Sequence, residues 1–173
     1  KVHQQTRRSD VMRSLKPNPA NLCAVLLFTA LLSAPTPAAT EIQKLIATDG
    51  EPNDWFGHAV SVSGDAAVVG TPLDDDKGSD AGAAYVYLRG SSGWSEQAKL
   101  TASDGAAGDQ FGRFVSVSGD VVMIGAFYDD DKGQNSGSAY VFERKTDGSW
   151  TQQAKLLPSD GGPLFGASVS VSG

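Results

Sequence analysis

The chain of 173 residues is poor in the groups that most often carry chemistry, with one cysteine, two histidines and two methionines. A single cysteine, Cys23, excludes an intrachain disulfide, so an exported domain made from this chain must be held by burial and strand pairing. No Asn-x-Ser/Thr acceptor occurs, and neither does Gly-x-Ser-x-Gly, His-Glu-x-x-His or a Gly-rich phosphate loop opening a helix. The common serine-hydrolase, zinc-protease and nucleotide-binding signatures are thereby absent. The one apolar run, Leu22 to Leu32, would span about 16 Å as a helix, roughly half of a bilayer's hydrocarbon core, and Pro35 ends it. It is too short to anchor the chain in a membrane.

What is present falls into two parts. Residues 1–39 hold five cations (Lys1, Arg7, Arg8, Arg13, Lys16) against Asp10, whereas residues 40–173 hold nine Lys or Arg against nineteen Asp or Glu, a net charge of −10. That sign repels phosphate backbones and anionic lipid, which argues against nucleic-acid and membrane-surface binding. From Met12 the order is basic residues, an apolar stretch, then small and Pro-rich residues Ser33 to Thr40, the pattern of a cleavable signal peptide. Residues 1–39 are therefore expected to be upstream residues and signal peptide. Cleavage is expected within Ser33 to Ala39, and the mature protein secreted, periplasmic or on the cell surface.

Self-similarity governs the remainder. Phe56-Gly57, Phe111-Gly112 and Phe165-Gly166 each lead into Val-Ser-Val-Ser-Gly (Val60 to Gly64, Val115 to Gly119, Val169 to Gly173). In the same order Asp74-Asp75-Asp76-Lys77-Gly78 returns as Asp129 to Gly133, Ala84-Tyr85-Val86 as Ala139-Tyr140-Val141, and Gln97-Ala98-Lys99-Leu100 as Gln153 to Leu156. Copies are expected over about 42–101 and 102–157, with a third begun over 158–173. Each copy predicts four strands, near 56–63, 66–71, 83–88 and 94–101 in the first. The second strand is a continuous apolar run and so belongs in the middle of its sheet. The fold class expected is all-β, built of β-propeller blades of four antiparallel strands.

The recurrence of Phe-Gly, then Ser-Gly-Asp, then Gly70-Thr71-Pro72 or Gly125-Ala126-Phe127, then Ala-Tyr-Val, resembles the FG-GAP repeat of integrin α-subunit propellers and of exported bacterial proteins. It covers roughly residues 42–173. The resemblance implies a non-enzymatic interaction module binding a protein, glycan or surface through its loops; the alternative it leaves open is the propeller part of a larger secreted hydrolase. The chain departs from the integrin-like form in one respect. Between Gly57 and Gly70 the only acid is Asp65, so that family's calcium loop does not carry over.

No catalytic residue is expected. His58, the one histidine beyond residue 39, has Arg113 and Ala167 as its counterparts, which marks a variable position and not a general base. Trp94 and Trp150 open the fourth strand in successive copies, where packing between blades explains them better than sugar stacking. The acidic loops are the weak metal candidates. Calcium takes six to eight oxygens, and Asp74 with Asp76, and Asp129 with Asp131, are the carboxylates that could share a site. Asp75 and Asp130 point to the opposite side of an extended segment. Lys77 and Lys132 set a cation beside each cluster, and solvated turn-forming loops are the competing reading.

Overall fold

The computed structural model describes residues 42–173; the expected signal peptide and Cys23 lie outside the described residues. Those described are all-β. The strands are β1 (Ala59–Ser63), β2 (Ala66–Thr71), β3 (Ala83–Gly90), β4 (Gly93–Leu100), β5 (Phe114–Ser118), β6 (Val121–Ala126), β7 (Ser138–Arg144) and β8 (Trp150–Leu156). They form two antiparallel sheets, ordered β1-β2-β3-β4 and β5-β6-β7-β8, in which each strand pairs with its neighbour in sequence, as in propeller blades. Among the described residues no helix is long and apolar enough to cross a membrane.

The apolar run Ala66–Thr71 is buried along its whole length and lies second in its sheet, so it needs apolar residues on both faces. A bulge falls at the same place in both blades, between Val86 and Tyr87 and between Val141 and Phe142. A bulge adds local twist. The first strand starts later than the sequence pattern predicts, at Ala59 instead of Phe56. Residues 55–58 form a turn in which the His58 N–H donates to the Trp55 carbonyl at 3.1 Å, and the turn frees Phe56 to leave the strand line. Val169–Gly173, the third Val-Ser-Val-Ser-Gly, is not a strand among the described residues.

The principal core lies between the sheets. Ala66, Val68, Ala84 and Val86 of the first blade meet Val117, Val122, Ile124, Tyr140 and Phe142 of the second, with Phe111 among them. Phe111 is fully buried and sits edge-on to Tyr140 and Phe142, its ring centroid 5.3 and 6.0 Å from theirs. The neighbouring glycine explains why phenylalanine is followed by Gly: at Gly112, φ is +90° and a Cβ would stand 2.0 Å from the Ala83 carbonyl oxygen. Across the same seam a Cβ on Gly70 would stand 1.8 Å from the Gly112 carbonyl oxygen. The two glycines of the repeat thus let backbone touch backbone between blades.

The serines of Val-Ser-Val-Ser-Gly join consecutive copies. Ser61 Oγ accepts from the Val117 N–H at 3.1 Å and Ser63 Oγ from the Gly119 N–H at 3.4 Å. One copy later, Ser116 Oγ accepts from Val171 N–H at 3.0 Å and Ser118 Oγ from Gly173 N–H at 3.2 Å. The alternation that predicts a strand therefore also sets the register between innermost strands.

Candidate functional site

The candidate residues lie in the loop joining the second strand of each blade to the third. Asp74 and Asp76 do converge, but on an ammonium group: Lys99 Nζ, from β4, stands 2.7 Å from Asp74 Oδ2 and 2.6 Å from Asp76 Oδ2. A third carboxylate, Asp49, comes from the segment before the blade and reaches the same Nζ at 3.0 Å. The second blade repeats the arrangement, with Lys155 Nζ 2.7 Å from Asp129, 2.6 Å from Asp131 and 2.9 Å from Asp104. The tyrosine of the third strand completes each cluster. Tyr85 donates its O–H to Asp49 at 2.7 Å and Tyr140 to Asp104 at 3.0 Å.

Loop geometry follows from local hydrogen bonds. The Asp76 N–H turns back to Asp74 Oδ1 and the Asp131 N–H to Asp129 Oδ1, which brings alternate carboxylates to one side. Asp75 and Asp130 point away and accept from the N–H of Asp80 and Asn135. Asp74 and Asp129 are buried, so the loops are not the freely solvated turns of the competing reading. Lys77 and Lys132, the cations next to the clusters in sequence, are exposed, and the partners are Lys99 and Lys155.

Burial works against the charge on Lys99, but hydrogen bonds to Asp74, Asp76 and Asp49 outweigh it and hold the ammonium above its ordinary value; Lys155 is held up in the same way by Asp129, Asp131 and Asp104. The Tyr85 hydroxyl, opposed by desolvation and aided by Lys99, keeps the Asp49 carboxyl below the usual carboxylate range. Burial, chiefly, pushes the phenols of Tyr85 and Tyr140 up, so both remain donors. Each cluster is thus three carboxylates around one fixed cation. A divalent ion would have to displace the lysine to reach the same oxygens, and among the described residues no group of three or more His, Cys, Asp or Glu side chains is arranged to hold a metal.

Next to each loop lies the turn that leads into the first strand, joined to it by the Leu73 N–H donating to the Asp54 carbonyl and the Tyr128 N–H to the Asp109 carbonyl. The residue before Phe-Gly has a left-handed backbone in all three copies: Trp55 at φ 60°, Gln110 at 53° and Leu164 at 62°. Their side chains differ in kind. Trp55 is half exposed and stacked on the exposed His58 at 5.7 Å, whereas Gln110 Oε1 accepts from Arg113 at 2.7 Å. Trp150 packs in the core between the sheets, and Trp94 packs on the opposite face of the first blade, with Arg89 over its ring at 5.5 Å.

The family model described as FG-GAP repeat matches residues 39–87 and 94–142, more than half of the chain. The chain belongs to the FG-GAP repeat family. No curated protein matches it. In this FG-GAP chain the named residues have separate physical roles, seen in the second copy: Phe111 fills the seam between blades, and Gly112 meets Gly70 backbone to backbone. Sequence reasoning missed Lys99, Lys155, Asp49 and Asp104 as members of the clusters. Their signal was available, since Lys-Leu and Ser/Thr-Asp-Gly recur in step with Asp-Asp-Asp.

Proposed function

We propose that this FG-GAP chain is an exported, non-enzymatic interaction module that binds a protein or glycan ligand, free or on a surface, through the turns and loops at one end of its blades. The observation that carries the reading is a constant scaffold bearing unlike side chains. Trp55 with His58, Gln110 with Arg113, and Leu164 with Ala167 occupy equivalent turns of one backbone shape, each beside a loop fixed by charge pairs in the two complete blades. A rigid scaffold with varied exposed residues at its loop end is what recognition requires. Net negative charge beyond residue 40 disfavours nucleic acid as the ligand.

The reading is tested by immobilising the full chain and challenging it with panels of soluble glycans and of extracellular proteins. Saturable binding that falls at least tenfold in Trp55→Ala or Arg113→Ala, with the melting temperature unchanged, is expected. Binding indifferent to both substitutions, or turnover of glycosidase or esterase substrates by the chain, would refute it. For the acidic loops we infer a structural role filled by lysine in place of calcium, so millimolar calcium should leave the melting temperature unchanged. A rise would return Asp74, Asp76, Asp129 and Asp131 to the role of ligands.

A further inference from the structure

Residues 40–173 hold nine Lys or Arg against nineteen Asp or Glu, so a cation without an acidic partner is unusual in this chain. Arg89, Lys99, Arg144, Lys145 and Lys155 each pair with a carboxylate. Lys44, Lys77 and Lys132 do not, and all three are exposed to water. Arg113 differs from both groups: it is half-buried, and no carboxylate pairs with it among the described residues. A charge withdrawn from water without a counter-ion is held at a cost, which an arriving carboxylate would relieve.

The guanidinium is nevertheless fixed in place. Its Nη1 donates to Gln110 Oε1 at 2.7 Å, and its central carbon lies over the Phe127 ring, 4.8 Å from the centroid. Phe127 is buried, stacked on Tyr128 at 3.9 Å and met edge-on by Phe114 at 5.8 Å, so the shelf under the arginine is rigid. Among the described residues no other acceptor takes a hydrogen bond from the guanidinium. The fold does not require this arrangement. In the first blade Trp55, His58, Ala59, Pro72 and Leu73 stand where the second has Gln110, Arg113, Phe114, Phe127 and Tyr128, on strands paired in the same register.

The serine bonds from Ser61 to Val117 and from Ser63 to Gly119 hold β1 and β5 side by side in one direction. The turns before them, with Trp55 and Arg113, therefore open at one end, and Tyr128, just beyond β6, comes to the same end. Arg, Trp and Tyr are the side chains that carry most of the binding energy at protein interfaces. We propose, building on the interaction-module reading, that Arg113 anchors one carboxylate, the Asp or Glu side chain of a protein partner, while Trp55 and Tyr128 bury its surroundings. The planar fork of an arginine takes both oxygens of a carboxylate at once. A glycan with an acid on every sugar meets the repulsion that disfavours nucleic acid, whereas a protein face can offer a single acid among apolar residues.

The probe is a library of random peptides displayed on phage and selected on the immobilised full chain; the best binder is then synthesised with each acid in turn changed to its amide. The selected peptides should share an Asp or Glu at one position. Its change to the amide should weaken binding to the parent about tenfold or more and leave binding to Arg113→Gln almost unaltered, with the melting temperature of that variant unchanged. Peptides without a common acid, or an acid whose loss costs as much in Arg113→Gln as in the parent, would overturn the proposal. If such peptides still lose binding in Trp55→Ala, the interaction-module reading stands and only the carboxylate anchor falls. Binding of D-glucuronate that Arg113→Gln abolishes, with no peptide selected, would give the arginine to an acidic sugar and overturn the protein partner. No binding of peptides, proteins or glycans would overturn both readings.

Discussion

Substituting Gly70 by alanine tests the seam between blades with a single methyl group. The added Cβ would lie 1.8 Å from the Gly112 carbonyl oxygen, 2.9 Å from its carbonyl carbon and 3.4 Å from Val115 Cγ1. Ordinary contact begins at 3.4 Å, so the oxygen must retreat by about 1.6 Å, the difference between 3.4 and 1.8. Neither side can yield by a rotamer change, because both are backbone and β2 is buried throughout. The sheets must separate locally, and separation unseats Phe111, whose ring fills the same seam. Overpacking alone costs about 1–3 kcal/mol, and loosening a fully buried phenylalanine adds to it, so Gly70→Ala should destabilise by about 3 kcal/mol or more.

Two other glycines provide the scale. Gly90→Ala puts its Cβ 3.9 Å from the nearest atom and should fall within about 0.5 kcal/mol of the parent. Gly119→Ala meets nothing within 4 Å but must hold φ +55°, at a cost of about 1–2 kcal/mol. Urea unfolding followed by tryptophan fluorescence suits the series, since Trp150 packs in the affected core. A Gly70→Ala protein within about 1 kcal/mol of Gly90→Ala would refute the backbone contact as the reason for glycine in the motif.

Lys155→Met leaves the buried Asp129 carboxylate without its cation and should cost about 3–5 kcal/mol by urea unfolding. Because Lys155 is held above its ordinary value when folded, its contribution is complete below the unfolded value of about 10.4 and lost as pH rises through the folded one; the variant's deficit should stay constant from pH 6 to 9. Asp104 is lowered, because Lys155 and Tyr140 outweigh desolvation, so its contribution holds above about pH 3.9 and fades as pH falls through its folded value, measurable as a steeper acid loss in the parent than in Asp104→Asn. Burial raises Asp109, which therefore favours folding at low pH and not at neutral pH; Asp109→Asn keeps an acceptor for the Ala106 N–H and should raise the melting temperature at pH 7 by roughly 2–4 °C, with the gain vanishing in acid. Thr71 buries an Oγ1 that finds no partner among the described residues, where the next copy has Ala126, and Thr71→Val should stabilise by about 1 kcal/mol in the same unfolding assay.

The fold was legible in this sequence wherever one strand's own pattern decides its place. Val-Ser-Val-Ser alternation and the run Ala66–Thr71 locate β1 and β2 because both are local, and recurrence in register rules out a single shared sandwich. The start of β1 was not legible, since Phe56 reads as part of an apolar strand while the turn at Trp55 to His58 is set by the seam it enters. The clusters were legible in half. Alternation in an extended segment separates Asp75 from Asp74 and Asp76, but the cation returns from β4, which is 23 residues beyond Asp76 at Lys99, and sequence proximity favoured Lys77. Exposure of Val62 against burial of Val117 cannot be read from either copy, because it depends on what precedes the copy.

The left-handed turn before each Phe-Gly follows from the same seam. Non-glycine residues in that conformation cost about 1–2 kcal/mol each, yet Trp55, Gln110 and Leu164 all adopt it, and none of the three copies places a glycine there. The cause is common to the three: the chain must reverse so that the next residue can leave the strand line, and in the second copy this sends Phe111 into the core between blades. Burial of that ring, at about 3–5 kcal/mol by the scale of its truncation, outweighs the strain of the turn. Any side chain that tolerates the backbone can therefore occupy the position without loss of the fold. The position is fixed in shape and free in chemistry, which is the property a recognition surface needs, and it stands beside loops that Lys99 and Lys155 hold in place.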